Sequence, residues 1–201
     1  TSINTAATCP GGISGRSIGT TVTFRNNREG AMIRMLEVDM RRLLDCLRST
    51  SWFATAKLLN DSTEGGIVFY FTVEGPNSAV QNDYGVRIRN AQTLQSTVGG
   101  APVVRGMTVV SDQACYLQGH YNSTGKIPAA VMCDVMNLLS ANWFAGAGDT
   151  KSTGALSGRP ATATTVNAAF LAGTDSTGGI DGEAGWNGAY NGGLENYPRF
   201  H

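Results

Sequence analysis

Gly106-Met-Thr-Val-Val-Ser-Asp112-Gln-Ala-Cys-Tyr116, and then Ala130-Val-Met-Cys-Asp134-Val-Met-Asn-Leu138, decide how this chain is read. Each is a short apolar run broken at its centre by an acidic residue. Two further segments overlay on them: Val86-Arg-Ile-Arg-Asn90-Ala-Gln-Thr-Leu94 and Ala163-Thr-Thr-Val-Asn167-Ala-Ala-Phe-Leu171. The central Asn or Asp residues are 22, 22 and 33 positions apart (112 − 90, 134 − 112, 167 − 134). A recurrence of this length is the mark of a solenoid, in which every coil needs a fixed path to return to its starting azimuth. The pattern predicts a mainly β fold, a short right-handed parallel β-helix, with a β-sandwich as the alternative.

Strand side chains alternate between faces. Counted from the central residue, Val86, Ile88, Leu94, Val110, Ala114, Tyr116, Ala130, Met132, Met136, Leu138, Ala169 and Leu171 are expected to line the interior. Arg87, Arg89, Thr93, Val109, Val131, Leu139 and Phe170 are then expected outside. Asn90, Asp112, Asp134 and Asn167 would stack as a polar ladder at a bend, where short Asx side chains bond local backbone. Sheet edges left at the ends would accept a further strand.

Working outward, a single domain over 1–201 is expected, with the solenoid at 66–200 and inserted loops at 146–159 and 178–193, both dense in Gly. Residues 1–20 lack periodicity and read as a loop or arm. Thr21-Val-Thr-Phe24, Ile67 to Val73 and Gly85 to Asn90 read as strands. In 29–48, Ile33, Leu36, Met40, Leu43, Leu44 and Leu47 recur at three- and four-residue steps, which predicts an amphipathic helix able to cap the solenoid.

The bulk properties narrow the function classes. Fifteen Lys and Arg against fifteen Asp and Glu leave no positive field for nucleic acid or anionic lipid. No apolar run approaches the ~20 residues of a membrane span, and no signal-like segment opens the sequence. The four cysteines, Cys9, Cys46, Cys115 and Cys133, lack the spacing of a zinc site.

Asp112 and Asp134 are the sharpest chemical candidates, since carboxylates on adjacent coils suit Ca²⁺ or an acid and base pair acting on a glycan. Stacked Asx residues at a solenoid bend are more often structural, so no catalytic residue is assigned. His120 reads as a turn histidine, and the spacing Gly12-Ile-Ser14-Gly15 is not a nucleophile elbow. The tail Gly178 to Gly193 mixes Asp181 and Glu183 with glycines but follows neither the EF-hand nor the nonapeptide calcium order, so no metal or other cofactor is expected, calcium being the only one considered. Trp186 and Tyr190 within it are suited to an aromatic binding surface for sugar rings or a protein partner.

Three blocks carry a resemblance: Gly106 to Asn122 with Ile127 to Trp143, then Thr165-Val-Asn-Ala-Ala-Phe-Leu-Ala-Gly173, then Tyr190-Asn-Gly-Gly-Leu-Glu-Asn-Tyr-Pro-Arg-Phe200. Together they resemble a bacterial exported family of PilX-like, type IV pilus-associated proteins, over about residues 66–200. The resemblance implies a minor pilin-like component at the bacterial cell surface or outside the cell. Such a component acts by display, adhesion or assembly, with other pilus or surface proteins, itself or glycans as partners. It carries over no catalytic residues. Cys115 and Cys133 depart from the pattern, standing where apolar or small residues are expected. On the overlay Cys115 follows its bend by three residues and Cys133 precedes its own by one, which sets them at different azimuths. A disulfide needs Cα atoms within roughly 7 Å, so Cys9 with Cys46 is the expected pair.

Overall fold

Ile67-Val-Phe-Tyr-Phe71 shows how the strands are built: its first, third and fifth residues are buried, and Val68 and Tyr70 between them face outward. β-Branched and aromatic side chains of this kind fit a pleated, half-buried surface. The computed structural model describes residues 8–9, 13–14, 18–26, 31–48, 58–73, 84–143, 154–173 and 199–200. Those residues form a mainly β protein with one short α-helix. In chain order the elements are β1 (Thr8–Cys9), β2 (Ile13–Ser14), β3 (Ile18–Asn26), β4 (Ala31–Asp39), α1 (Met40–Cys46), β5 (Ile67–Phe71), β6 (Tyr84–Arg89), β7 (Met107–Ser111), β8 (Ala114–Gln118), β9 (Ala129–Cys133), β10 (Met136–Leu139), β11 (Ala169–Ala172) and β12 (Arg199–Phe200).

From β5 onward successive strands alternate between two sheets. The smaller has the order β11-β9-β7-β5 and the larger β12-β10-β8-β6-β4-β3. Every pair in the smaller sheet is parallel, and so is every pair in the larger one except the β3–β4 hairpin. A third line of parallel bridges runs Ala91–Tyr121–Val166. The two sheets share one core, as a sandwich would, but the parallel pairing differs from the antiparallel pairing of Greek-key sandwiches.

The repeat is real only where it is densest. Met107 faces Ala129 and Cys115 faces Met136, steps of 22 and 21 residues (129 − 107, 136 − 115). Elsewhere the steps lengthen, to 29 between β6 and β8 (114 − 85) and 40 between β5 and β7 (107 − 67). The expected overlay of Val86 on Thr108 fails because Val86 pairs with Cys115, in the other sheet.

The expected facing is also reversed in the smaller sheet. Val109 and Val131 are wholly buried, and Val110 and Met132 point outward and are only partly buried. The β9–β10 corner inverts the phase of alternation, Val131 and Cys133 before it and Met136 after it facing the main core, whereas Val109 and Cys115 keep one phase across the β7–β8 corner; the overlay started β7 on the wrong phase and carried one phase through both corners. In the larger sheet both faces are covered. Val86, Ile88, Cys115, Leu117 and Met136 join the main core with Phe69, Val109 and Val131. Ile33, Met35, Ala114, Tyr116, Leu139 and Trp143 form a second cluster on the other face.

That double burial accounts for the largest departure from expectation. The helix expected over 29–48 is confined to Met40–Cys46, and Ala31–Asp39 is a strand. Ile33 and Met35 enter the second cluster and Val38 the main core. The first half of this strand alternates, with Met32 and Arg34 exposed, but toward Asp39 both faces are covered and the alternation that would announce a strand is lost. Asp39 ends the strand and caps the helix, its carboxylate accepting from the Arg42 amide at 3.2 Å. Met40, Leu43, Leu44 and Leu47 then bury fully in the main core, at its β4 end. The expected arm over 1–20 includes a two-stranded antiparallel ribbon, β1 with β2, and the start of β3.

Entry to the smaller sheet depends on a close backbone passage. Gly66, at φ +120°, and Gly106 lie against each other, and a Cβ on Gly106 would stand 2.0 Å from the Gly65 carbonyl oxygen. The Gly106 carbonyl accepts from the Ile67 amide at 3.0 Å, which starts the β5–β7 ladder. Gly106→Ala is expected to cost at least about 2 kcal/mol, measured as a lowered urea midpoint with far-UV circular dichroism unchanged below the transition.

Candidate functional site

The corners between strands hold the polar residues, and the expected four-residue ladder resolves into separate corners. Val110 pairs with Met132, so Asp112 and Asp134, two residues further on, do share one corner. Thr72, just after β5, donates its hydroxyl to Asp112 Oδ2 at 2.7 Å. Just after β11 the Gly173 amide donates to the Asp134 carbonyl oxygen at 2.7 Å. The ladder here is Thr72, Asp112, Asp134, Gly173. Asp134 is buried, at 2% exposure, and so does not offer the solvent-accessible carboxylate that acid–base chemistry on a glycan requires.

Asn90 belongs elsewhere. It follows β6 in the larger sheet with φ +53°, and its amide donates to Asp39 Oδ2 at 2.7 Å. It completes a charged cluster across the β4–β6 pair. Arg87 bonds Glu37, Arg89 Nε lies 3.0 Å from the other oxygen of Glu37, and Arg89 Nη2 lies 3.8 Å from Asp39. Opposite charges directly across a strand pair stabilise the register, here Glu37 with Arg87 and Asp39 with Arg89.

Asn167 lies on the third line of bridges, and its partner is Asn122. Asn122 Nδ2 donates to the Asn167 carbonyl at 2.9 Å, and Asn167 Nδ2 returns a bond to the Asn122 carbonyl at 3.1 Å. Asn122 also clamps the Asn122–Ile127 turn, donating to the Ile127 carbonyl at 2.7 Å and accepting from its amide at 3.1 Å. With φ +50° and 1% exposure, Asn122 serves as turn former and buried polar bracket together. The sequence signal was its place in Tyr121-Asn122, one step after a bridge, and the overlay passed it by because it lies between central residues.

Asp45 escaped sequence reading entirely. Buried on α1, it accepts from Ser96 Oγ at 2.8 Å, the Thr97 amide at 2.6 Å and Thr97 Oγ1 at 2.9 Å. Those bonds tie the helix to the loop after β6.

His120 is half-buried and accepts from the Thr165 amide through Nδ1 at 3.1 Å. It lines a polar cleft of about 170 Å³ with Arg89, Asn90, Gln92 and Gln118. A second, more apolar cavity of about 390 Å³ lies between β10 and β11, lined by Leu138, Leu139, Val166 and Phe170. Among the described residues no group of three or more His, Cys, Asp or Glu side chains is placed to hold a metal ion. No helix among them is long and apolar enough to cross a membrane.

Cys46 is disulfide-bonded, and the side chain of its expected partner, Cys9, lies outside the described residues. Cys115 and Cys133 are free and buried. Contrary to the expectation of separate azimuths, they meet in the main core, the Cys115 thiol hydrogen-bonded to Cys133. Trp186 and Tyr190, with the loop 178–193, lie outside the described residues, as do 146–153 of the other loop.

Among the described residues the outward face of the smaller sheet is partly exposed. Its rows run Val68–Thr108–Ala130–Ala169 and Tyr70–Val110–Met132–Leu171. None of these residues is charged, and Val68, Tyr70 and Leu171 are 54%, 61% and 50% exposed. Comparison with family models, with curated proteins and with solved structures finds no match.

Two predictions follow from the corners and the core. Asn122→Ala leaves three side-chain hydrogen bonds unmade and an alanine at positive φ, and is expected to cost about 2–4 kcal/mol. Asn122→Gly, which restores the backbone freedom alone, is expected to recover only part of that loss in the same urea titration.

The second concerns alkaline pH. The Cys115 thiol is raised well above its ordinary 9.0, first by its hydrogen bond to Cys133 and then by burial. Burial likewise raises Tyr121 above its ordinary 10.0, and its hydroxyl has no hydrogen-bond partner among the described residues. Both groups stay protonated in the folded chain while the unfolded chain ionises. Their stabilisation is complete below pH 9.0, the ordinary thiol value, and is lost progressively as pH rises through that value and 10.0. Urea midpoints are expected to hold to about pH 8.5 and fall beyond, with a shallower fall in Tyr121→Phe.

Proposed function

We propose that this chain is a structural and interaction domain of a bacterial surface or secreted assembly, a short β-solenoid that associates with a second copy of itself through the outward face of its smaller sheet. The observation that carries this reading is the uncharged, apolar face spanning β5, β7, β9 and β11, with Val68, Tyr70 and Leu171 about half exposed or more. Contiguous apolar surface of this kind marks association sites. A face that is uncharged along both rows suits an isologous contact, in which the same patch meets itself. The net charge of zero opposes such a contact with no long-range repulsion.

The solenoid part of the reading rests on three parallel lines of pairing and on strands that alternate between sheets in chain order. A rigid stack of this type is a display scaffold, with loops as the variable elements. The extracellular setting is supported by the disulfide at Cys46, a bond that persists in oxidising compartments. The resemblance to PilX-like, pilus-associated proteins points to the same place.

Light scattering coupled to size exclusion tests the association directly. A dimer or larger closed oligomer is expected at tens of micromolar chain. Val68→Lys with Leu171→Lys is expected to shift it to monomer while leaving the circular dichroism spectrum and urea midpoint close to those of the unaltered chain, since both side chains face outward and are about half exposed. A monomeric unaltered chain at that concentration, or an oligomer indifferent to the paired substitution, would refute self-association through this face.

A further inference from the structure

Cys115 and Cys133 stand on different sheets, β8 of the larger and β9 of the smaller, yet both point into the main core. Neither has any exposure. They converge on one backbone group: the Cys115 amide donates to the Val135 carbonyl at 2.8 Å, and the Cys133 thiol lies 3.4 Å from the same oxygen. The Cys115 thiol is in turn hydrogen-bonded to Cys133. Cys115 pairs in register with Met136, three residues beyond Cys133 around the Asp134-Val135 corner. Two buried cysteines that converge on one carbonyl at one corner, within one core, are placed for the close approach a disulfide requires.

We infer that Cys115 and Cys133 are a modification site, a dithiol that closes into a second disulfide linking the two sheets across this corner, by exchange with a disulfide of the glutathione or protein class. In the first step one of the two, as thiolate, attacks R–S–S–R; an S–S bond to R forms and RS⁻ departs. The second thiolate then attacks the protein sulfur of that mixed disulfide and expels the other RS⁻. Two protein thiols lose two protons and two electrons, and two RSH are produced.

Timing follows from burial. In the folded chain neither sulfur is open to an attacking disulfide, and the hydrogen bond between the thiols favours the protonated form, which is not the nucleophile. Exchange therefore takes place before this corner closes, while Cys115 and Cys133 are separated by 18 residues (133 − 115) of open chain. After folding the pair is locked in whichever state it entered. The disulfide at Cys46 shows that the chain is suited to conditions in which such exchange occurs.

The tryptic map makes the link readable, because Cys115 lies in the peptide 106–126 and Cys133 in 127–151, separated by cleavage at Lys126. The reduced, unfolded full chain is refolded in a glutathione redox buffer that forms the Cys46 disulfide, quenched by alkylation and digested without reductant. The expected product is the two peptides joined, with neither cysteine alkylated. The chain folded with these two thiols reduced, placed in the same buffer, is expected to form the link at least about a hundredfold more slowly. The linked form is expected to melt roughly 5–10 °C above the reduced form. Cys115→Ala and Cys133→Ala, refolded likewise, should each leave the remaining cysteine alkylatable once unfolded. Recovery of both peptides separately and alkylated from correctly folded chain, or pairing of either cysteine with Cys9 or Cys46, would overturn the proposal. Equal rates of linkage in folded and unfolded chain would overturn its timing.

Discussion

Parallel strands cannot be joined by a tight turn, because each must begin again at the end where its neighbour began. In this chain the return path is a visit to the opposite sheet: β7 leads to β8 and β9 to β10 through short corners at 112–113 and 134–135, and β8 leads to β9 through 119–128, which carries the Tyr121 bridge and the Asn122–Ile127 turn. Everything else in the structure depends on those corners being both sharp and satisfied. A corner between two buried strands removes backbone amides and carbonyls from their ladders, and each group left unpaired in the interior would cost about 1–3 kcal/mol. Asn122 and Asn167 answer that demand reciprocally, and Asp112 and Asp134 occupy the corner where Thr72 and Gly173 supply the neighbouring bonds.

The same constraint shapes the core. Because the chain crosses from sheet to sheet at nearly every strand, side chains distant in sequence meet at short range: Phe69, Val109 and Val131 from one sheet face Val86, Ile88 and Leu117 from the other. Contact between Cys115 and Cys133 is one outcome of that crossing. The larger sheet is different, since the β3–β4 hairpin and α1 extend it beyond the alternating strands. There Asp39 performs several tasks at once, ending β4, capping α1 and accepting from Asn90. The ion pairs of Glu37 with Arg87 and Arg89 hold the β4–β6 register beside it.

Legibility in the sequence tracked how locally each feature was encoded. The step between β7 and β9 could be read because both segments are regular and their spacing is short, and β5 and β6 because Ile67–Phe71 and Tyr84–Arg89 are compact apolar runs bounded by polar residues. Alternation failed at the β9–β10 corner, where the phase changes between Cys133 and Met136 and no residue marks the change. Ala31–Asp39 failed as a strand because Ile33, Met35 and Val38 serve two cores, and a helical period fits the same letters. Asn90 and Asn167 share a residue type with Asp112 and Asp134 but not an azimuth, and only pairing across sheets separates them. Asp45 was invisible, since its partners Ser96 and Thr97 are about fifty residues away, at separations of 51 and 52.

The two faces of the smaller sheet carry different obligations, and the contrast bears on function. Its inner face is tightly specified: Val109 and Val131 are completely buried, and loss of any volume there would be felt across both sheets. On its outer face Val68 and Leu171 are about half exposed and Val110 and Met132 only partly buried, positions at which solubility would favour Lys, Glu or Thr. Instead Tyr70, Val110, Met132 and Leu171 form a row without charge across all four strands. Edge strands in particular are usually protected by charge or proline, yet edge strand β5 presents Val68 and Tyr70. The proposed self-association would bury these uncharged side chains, whereas the polar corners already spend their hydrogen-bonding groups within the fold.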